Sequence, residues 1–414
     1  MSTFIVEGPV GYCYCEINDN KKILLFADRH ESYKSNFNFN LFNLIENFFF
    51  LNKIHNECFD LFIENEISLD SNNKILSEGK LINAVRKKFN NINLNKNFNV
   101  RIHNIDIGQI NKERQRYQDP VIFGVVIKEI SNNASIINFF WENKDNLYKI
   151  IFGIYLIMVN ETDDKYSQFT ELGQQYFENS QKINGISHNN NLQNLIKHKL
   201  KKQINAIDTQ YFTKEQLYAY FEKSAEDVHK ESVRYTDITN IQILLKVRFM
   251  LIETYTICRM FRTFKKKNNK YCNENILKNI IYFGGAGHVK NIIDFIKQVI
   301  KKEPHFYKLN DYDLVSDNNK DFKLKTQFYI EMEKYNYFGY DINKLINYKY
   351  FLDKNCNNFN ENDKDKFVYY KATLKNGIIQ YEENDNNLLS LSDINENQYV
   401  IKTCNNIYNM PIIK

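Results

Sequence analysis

The sequence predicts an α/β protein with a mixed, largely parallel central sheet, an N-terminal hairpin, a long helical insertion and a small C-terminal β-containing module. Three observations predict this class. Short apolar runs of β type at 22–26, 58–63, 100–107 and 280–283 are separated by stretches long enough for helical crossovers. The runs Gly11–Ile17 and Lys22–Phe26 flank the turn-forming tetrapeptide Asn18-Asp19-Asn20-Lys21, a hairpin signal. From Pro120 to about residue 275 the pattern changes to long helical periodicities.

In chain order, the second hairpin strand, ILLF, ends in the chargeable cluster Ala27-Asp28-Arg29-His30-Glu31. Leu41 to Leu51 is apolar and helical in pattern, and it leads into the buried strand CFDLFI, which ends in Glu64-Asn65-Glu66. Alternation puts Glu64 and Glu66 on one face of that strand, where they crowd each other or share a cation; solvent at a strand exit is the alternative. Leu81 to Phe89 reads as a connecting helix, and Val100 to Ile107 as a third strand carrying Arg101, His103 and Asp106 near its end.

Within the insertion, Thr213 and Gln216 form a capping box ahead of an apolar stripe. Ile238 to Phe264 is a helix long enough to line one side of the molecule. Arg248 and Arg259 on it are placed to reach inward; Glu253 lies near Arg248, so an internal ion pair competes with a binding role. The basic end, Arg262 with Lys265 to Lys267, reads as a solvated helix C-terminus whose cations complement the dipole, with an anion site as the alternative.

Asn279 to Phe295, NIIYFGGAGHVKNIIDF, is a strand, a glycine-rich turn and a helix. His288 thereby stands at the carboxyl end of a strand and the amino end of a helix, where added positive charge is disfavoured and a neutral imidazole can bind metal or take a proton. A tight βα turn with a capping histidine is the competing explanation. His305 to Leu309 is the last core strand, so the expected division is a core over 1–309 and an appended module over 310–414. The strongest turn signal in that module is Lys375-Asn376-Gly377, at the centre of a hairpin over Lys366 to Glu383.

At 414 residues, 43% hydrophobic and 15% aromatic, the chain can bury a sizeable core. Its net charge of +5, from 55 basic and 50 acidic residues, gives no reason to expect nucleic acid. Roughly one residue in seven is asparagine, the drift of an AT-rich genome. Seven scattered cysteines without a CxxC pair suggest a reduced protein; no signal peptide begins the chain, and Ile150 to Val159 is too short to span a bilayer. An intracellular, soluble protein is expected.

Three pieces, FADRH (Phe26 to His30), FIENE (Phe62 to Glu66) and FGGAGHV (Phe283 to Val289), resemble the motifs of the TraB/TIKI family of hydrolase-like proteins, in the same order and with a helical insert between the second and third. The related erythromycin-esterase and ChaN-like folds share the arrangement. The chain also resembles proteins of large DNA viruses through FADRH, IHNIDIG (Ile102 to Gly108), ETYTICRMF (Glu253 to Phe261) and YFGGAGHVKN. Ala27 departs from the first GxxH motif, and Gly108 stands where the viral pattern has Arg.

The resemblance implies a site of His30, Glu64 and His288, with Glu66, Asp28 and Asp106 as second candidates and Arg259 as a substrate-charge clamp. Two histidines and a carboxylate with open positions suit a divalent cation, Mn, Co or Zn, that activates water; esterase-like relatives use a histidine without metal. The expected reaction is hydrolysis of a peptide or ester bond. The alternative is an inactive virion or assembly protein, in the host cytoplasm or the virion, that meets viral partners or itself through the C-terminal module.

Overall fold

The computed structural model describes residues 3–18, 21–28, 57–66, 100–106, 121–122, 125–126, 142–181, 190–234, 240–264, 275–309, 329–341, 368–375, 378–383 and 399–402, with residues 41, 42, 44, 45, 48, 49 and 85. The first strand, β1 (Thr3–Glu7), stands outside the main sheet. That sheet is built from β2 (Gly11–Ile17), β3 (Lys21–Asp28), β4 (Phe59–Glu66), β5 (Val100–Asp106), β8 (Asn279–Gly285) and β9 (Phe306–Leu309), in the order β5-β4-β8-β3-β2-β9. Strands β5, β4, β8 and β3 are mutually parallel; β2 pairs antiparallel with both β3 and β9. The expected class, with its N-terminal hairpin, is the observed one. The short pair β6 (Val121–Ile122) and β7 (Val125–Val126) lies between β5 and the helices.

Strand β8 forms late in the chain yet lies between β3 and β4. The chain therefore leaves β3 towards β4 and β5 on one side, and leaves β8 towards β9 on the other. Such a reversal is a topological switch point, and the crevice outside the carboxyl ends of its strands is where open α/β sheets bind ligands. In register, Asp28 lies beside Gly285 there.

Two apolar layers cover the sheet. On one face lie Cys13, Cys15, Leu25, Phe62, Ile280 and Tyr282, against the insertion helices α1 (Leu147–Val159), α2 (Ser167–Gln181), α3 (Asn190–Ile204), α4 (Lys214–Arg234) and α5 (Asn240–Met260), and against α6 (Ala286–Phe295). On the other lie Leu24, Phe26, Phe59, Leu61, Ile63, Ile281 and Phe283, against Leu41, Leu44, Ile45, Phe48 and Phe49. The apolar run at 150–159 is the buried α1, a core helix. Among the described residues no helix is long and apolar enough to cross a membrane.

Helices α1 and α2 cross at two glycines. A Cβ on Gly153 would stand 1.9 Å from the carbonyl oxygen of Phe169, and one on Gly173 would stand 2.6 Å from the carbonyl carbon of Gly153. At the start of α4 the capping box is reciprocal: Thr213 N–H donates to Gln216 Oε1 at 2.8 Å and Gln216 N–H to Thr213 Oγ1 at 3.3 Å. A buried Lys21, pushed down to about 8 by burial, donates from Nζ to the carbonyls of Met260 and Leu277, tying the end of α5 to the start of β8.

Residues 329–341, beyond the boundary expected at 309, pack into the second layer. Strand β10 (Tyr329–Glu333) pairs antiparallel with β1. The amide of Glu333 donates to the Tyr12 hydroxyl at 3.1 Å and that of Phe338 to the Tyr14 hydroxyl at 2.9 Å. Phe338 meets Phe59 edge-on at 4.7 Å. Further on, β11 (Val368–Lys375) and β12 (Ile378–Glu383) pair antiparallel with Lys375 opposite Ile378, the register of the expected hairpin. Cys13, Cys15 and Cys258 are free thiols, as expected, whereas Cys58 is disulfide-bonded and corrects the expectation of a wholly reduced chain.

Two stability outcomes follow from this packing. Gly→Ala in a helix ordinarily gains about 0.5–1 kcal/mol, but at Gly153 the obstacle is backbone; Gly153→Ala and Gly173→Ala should each cost about 1–3 kcal/mol in urea unfolding. A chain ending at Leu309 should unfold at lower urea than one ending after Asp341, because it leaves β1 unpaired and the Tyr12 and Tyr14 hydroxyls without their backbone donors.

Candidate functional site

The carboxyl edge of β8 is built by close approach. A Cβ on Gly284 would stand 2.4 Å from the Tyr282 hydroxyl and 3.0 Å from Glu64 Oε2, so glycine is what admits the Glu64 carboxylate. Gly285 is the N-cap of α6 and has no side chain to cap it; instead its N–H donates to Glu64 Oε2 at 2.6 Å. A carboxylate at a helix N-terminus is electrostatically favoured. A Cβ on Gly287 would meet nothing within 4 Å among the described residues.

His288 lies in the first turn of α6 and is 6% exposed. Its Nδ1 is 3.2 Å from Oε1 of Glu253, a carboxylate of α5 that is 2% exposed. The same oxygen accepts from Nδ2 of Asn291, one turn further along α6, whose backbone carbonyl accepts from the Tyr220 hydroxyl at 2.9 Å. Phe249 meets the imidazole edge-on at 4.9 Å and is itself 38% exposed. A proton on Nδ1 shared with Glu253 makes Nε2 the basic nitrogen, the tautomer a general base needs.

A second polar cluster lies lower on the same face. Asp60, Phe62 and Glu64 alternate with the residues of the opposite layer, and so do Arg101 and His103 on β5; Asp60 is opposite Arg101 and Phe62 opposite His103. The fully buried Asp60 receives Arg101 through two hydrogen bonds, at 2.7 and 2.8 Å, and His103 Nε2 at 2.7 Å. Arg259 Nε donates to His103 Nδ1 at 2.8 Å. A guanidinium only donates, so Nδ1 accepts, and His103 is the neutral tautomer that donates from Nε2 to Asp60. Burial pushes the His103 imidazole down to about 4. Burial alone would raise Asp60, but the His103 hydrogen bond and the charge of Arg101 hold it below the usual carboxylate range.

The structure thus brings His288 together with Glu253 and Asn291, and Glu64 to the N-cap of the same helix. Arg259 lies elsewhere, against His103 and Tyr255. Glu253, expected beside Arg248, engages His288 and Asn291. Asp28, buried at the end of β3, shares the alternation of Leu24 and Phe26 and so faces the layer opposite Glu64. The register shifts between Ile63 and Glu66, interrupting the alternation that was expected to put Glu64 and Glu66 on one face; Glu66 is opposite Asp106 at the ends of β4 and β5. His30 lies outside the described residues. Among the described residues no group of three or more His, Cys, Asp or Glu is gathered to hold a metal ion. The described donors therefore do not by themselves fit the expected divalent cation.

Sequence reasoning missed Glu253 as the partner of His288, and it missed Asp60 altogether. The period-two signal for Asp60 was present: it shares its face with Glu64, and the facing Arg101 and His103 alternate in the same way. No protein-family model, curated protein or solved structure matches this chain.

The lower cluster sets an acid limit. A histidine whose folded value is about 4 and whose ordinary value is 6.5 binds more protons unfolded than folded between those limits, so stability is full above 6.5 and is lost as pH falls towards 4. Asp60, held down in the fold, adds loss below the ordinary carboxylate range. Urea midpoints measured from pH 7 to 4 should fall, with a shallower fall in His103→Gln, which keeps a donor towards Asp60 and does not titrate.

Proposed function

We propose that this chain is a hydrolase that cleaves a peptide or ester bond with water activated at the carboxyl edge of β8. The observation that carries the reading is the Glu253–His288 pair, a carboxylate hydrogen-bonded at 3.2 Å to an imidazole that opens a helix at the sheet's switch point. His288 Nε2 takes a proton from water while Glu253 holds Nδ1–H. The resulting hydroxide attacks the carbonyl carbon, and the imidazolium returns the proton to the leaving nitrogen or oxygen. Backbone N–H groups of the first turn of α6 are of the donor type that a developing oxyanion needs. Glu64, seated on the Gly285 N–H, lines the same edge and orients the water.

The resemblance to the TraB/TIKI motifs supports the same chemistry. A metal held by His30, Glu64 and His288 is what that resemblance implies.

A second reading has its own observation. His288 and Glu253 are almost wholly buried, as they would be in a scaffold that retained a hydrolase-like fold for assembly. The test is hydrolysis of peptide and ester libraries, with and without added Mn, Co or Zn, by the wild-type chain, His288→Ala and Glu253→Gln, alongside their melting temperatures. The hydrolase reading expects each variant to lose about a hundredfold or more in rate while remaining folded. Wild-type inactivity on every library, or full activity in His288→Ala, would leave the scaffold reading in place.

A further inference from the structure

At the C-terminal end of α5, two guanidiniums converge on one ring, with a third, Arg101, beside them. The centres of the Arg259 and Arg262 guanidinium groups stand 5.5 and 4.5 Å from the centroid of Phe264, and that of Arg101 stands 5.6 Å from it. The nearby carboxylate, Asp60, is taken by Arg101 and His103. Arg259 is met by neutral groups: it donates to His103 Nδ1 and, from Nη1, to the Tyr255 hydroxyl at 3.3 Å. Arg262 Nη1 donates to the amide oxygen of Gln203, and its buried Nε has no hydrogen-bond partner among the described residues. Neither guanidinium meets a carboxylate among those residues. Lys199 on α3 is close enough to feel Arg259: burial first and then that charge pull its ammonium down, and the same two causes pull down Arg262.

We propose that Arg259 and Arg262 form a binding site for a phosphate-type oxyanion, separate from the carboxyl-edge site and at the C-terminal end of α5. The chemistry is that of the guanidinium fork, which offers paired N–H donors to two oxygens of one anion. Both side chains are only partly buried, so the pair is reachable from solvent. Arg262 is fixed from behind by Gln203 and by backbone pairing with Ile207, and Arg259 by His103, so the fork is held in place before an anion arrives.

The test uses the full chain. Melting temperature is measured in inorganic phosphate, in phenyl phosphate and in chloride at matched ionic strength, for the wild type, Arg262→Gln, Arg259→Gln and Arg262→Lys. Wild type should melt about 3 °C or more higher in tens of millimolar phosphate than in chloride. Arg262→Gln and Arg259→Gln should lose that increment. Arg262→Lys, which keeps the charge and loses the fork, should retain less than half of it. Should either glutamine variant fail to fold, Arg262→Lys alone decides, since a structural role for the charge predicts an unchanged increment. A larger rise in phenyl phosphate than in phosphate assigns the site to a phosphorylated small molecule, and an equal rise to free phosphate. No difference between phosphate and chloride in the wild type, or an equal increment in all four proteins, overturns the proposal.

Discussion

Two carboxylates buried beneath one helix govern how this molecule is assembled. Asp60 is 0% and Glu253 2% exposed, and an uncompensated charge at such depth costs several kcal/mol. Each therefore needs partners once α5 closes on the sheet. Asp60 is answered from its own sheet by Arg101 and His103, and His103 in turn accepts from Arg259 of the helix. Glu253 is answered by His288 and Asn291 of α6. Six residues separate Glu253 from Arg259, a rise of about 9 Å, so the helix is pinned at two heights on two different elements. A slide by one turn would break both sets at once.

The same pinning explains why a catalytic and a structural role look alike at His288. Orienting an imidazole for proton transfer and satisfying a buried carboxylate require the same hydrogen bond. What separates the two roles is the surroundings of the pair. On the proposed hydrolase reading, a reaction at a carbonyl group would use the exposed Phe249 against the ring and the place at the reversal of strand order. Glu64 is more evenly balanced, because capping α6 through Gly285 already accounts for the carboxylate and for the glycine at 284 that admits it.

Local chemistry was legible in the sequence to the residue. Ile17 pairs with Lys21 across the expected turn, Asn18 stands at φ 54°, as a short polar residue that tolerates a left-handed backbone, and Thr213 with Gln216 closes as a capping box. Strand and helix faces were legible because they follow from periods of two and 3.6. The identity of partners was not. Glu253 and His288 are 35 residues apart, and Arg259 and His103 are 156 apart, and periodicity says which face a side chain takes without saying what stands opposite. Proximity on one helix suggested Arg248 for Glu253, but a buried carboxylate pairs across the helix interface. Likewise the composition change after Leu309 suggested an appendage, although Phe338 and Tyr337 carry the apolar surface that covers Tyr14. His30, on which the metal-centred expectation depends, lies outside the described residues.

A binding site must also be tolerable when empty, and the arginine end of α5 meets that condition. Arg259 and Arg262 lie against the same ring, so their charges are no more than about 10 Å apart, a repulsion of at least about 1.7 kcal/mol at an effective dielectric constant of 20, before solvent screening reduces it. Opposing this, cations at a helix C-terminus gain about 0.3–1 kcal/mol each from the dipole, and a cation over an aromatic face gains about 0.5–1 kcal/mol. These terms offset part of the repulsion, so the helix can end in two arginines without a carboxylate beside them. An offset of this kind eases the strain but does not remove the charge. The stabilising contributions come from neutral partners, the peptide dipoles and the Phe264 ring, which leave the guanidiniums net positive, whereas a carboxylate would have neutralised them. Two turns back along the same helix, Glu253 is held by an imidazole and an amide that also leave its charge largely in place. Helix α5 therefore carries a carboxylate in its middle and guanidiniums at its C-terminal end, each held by neutral partners that do not cancel its charge.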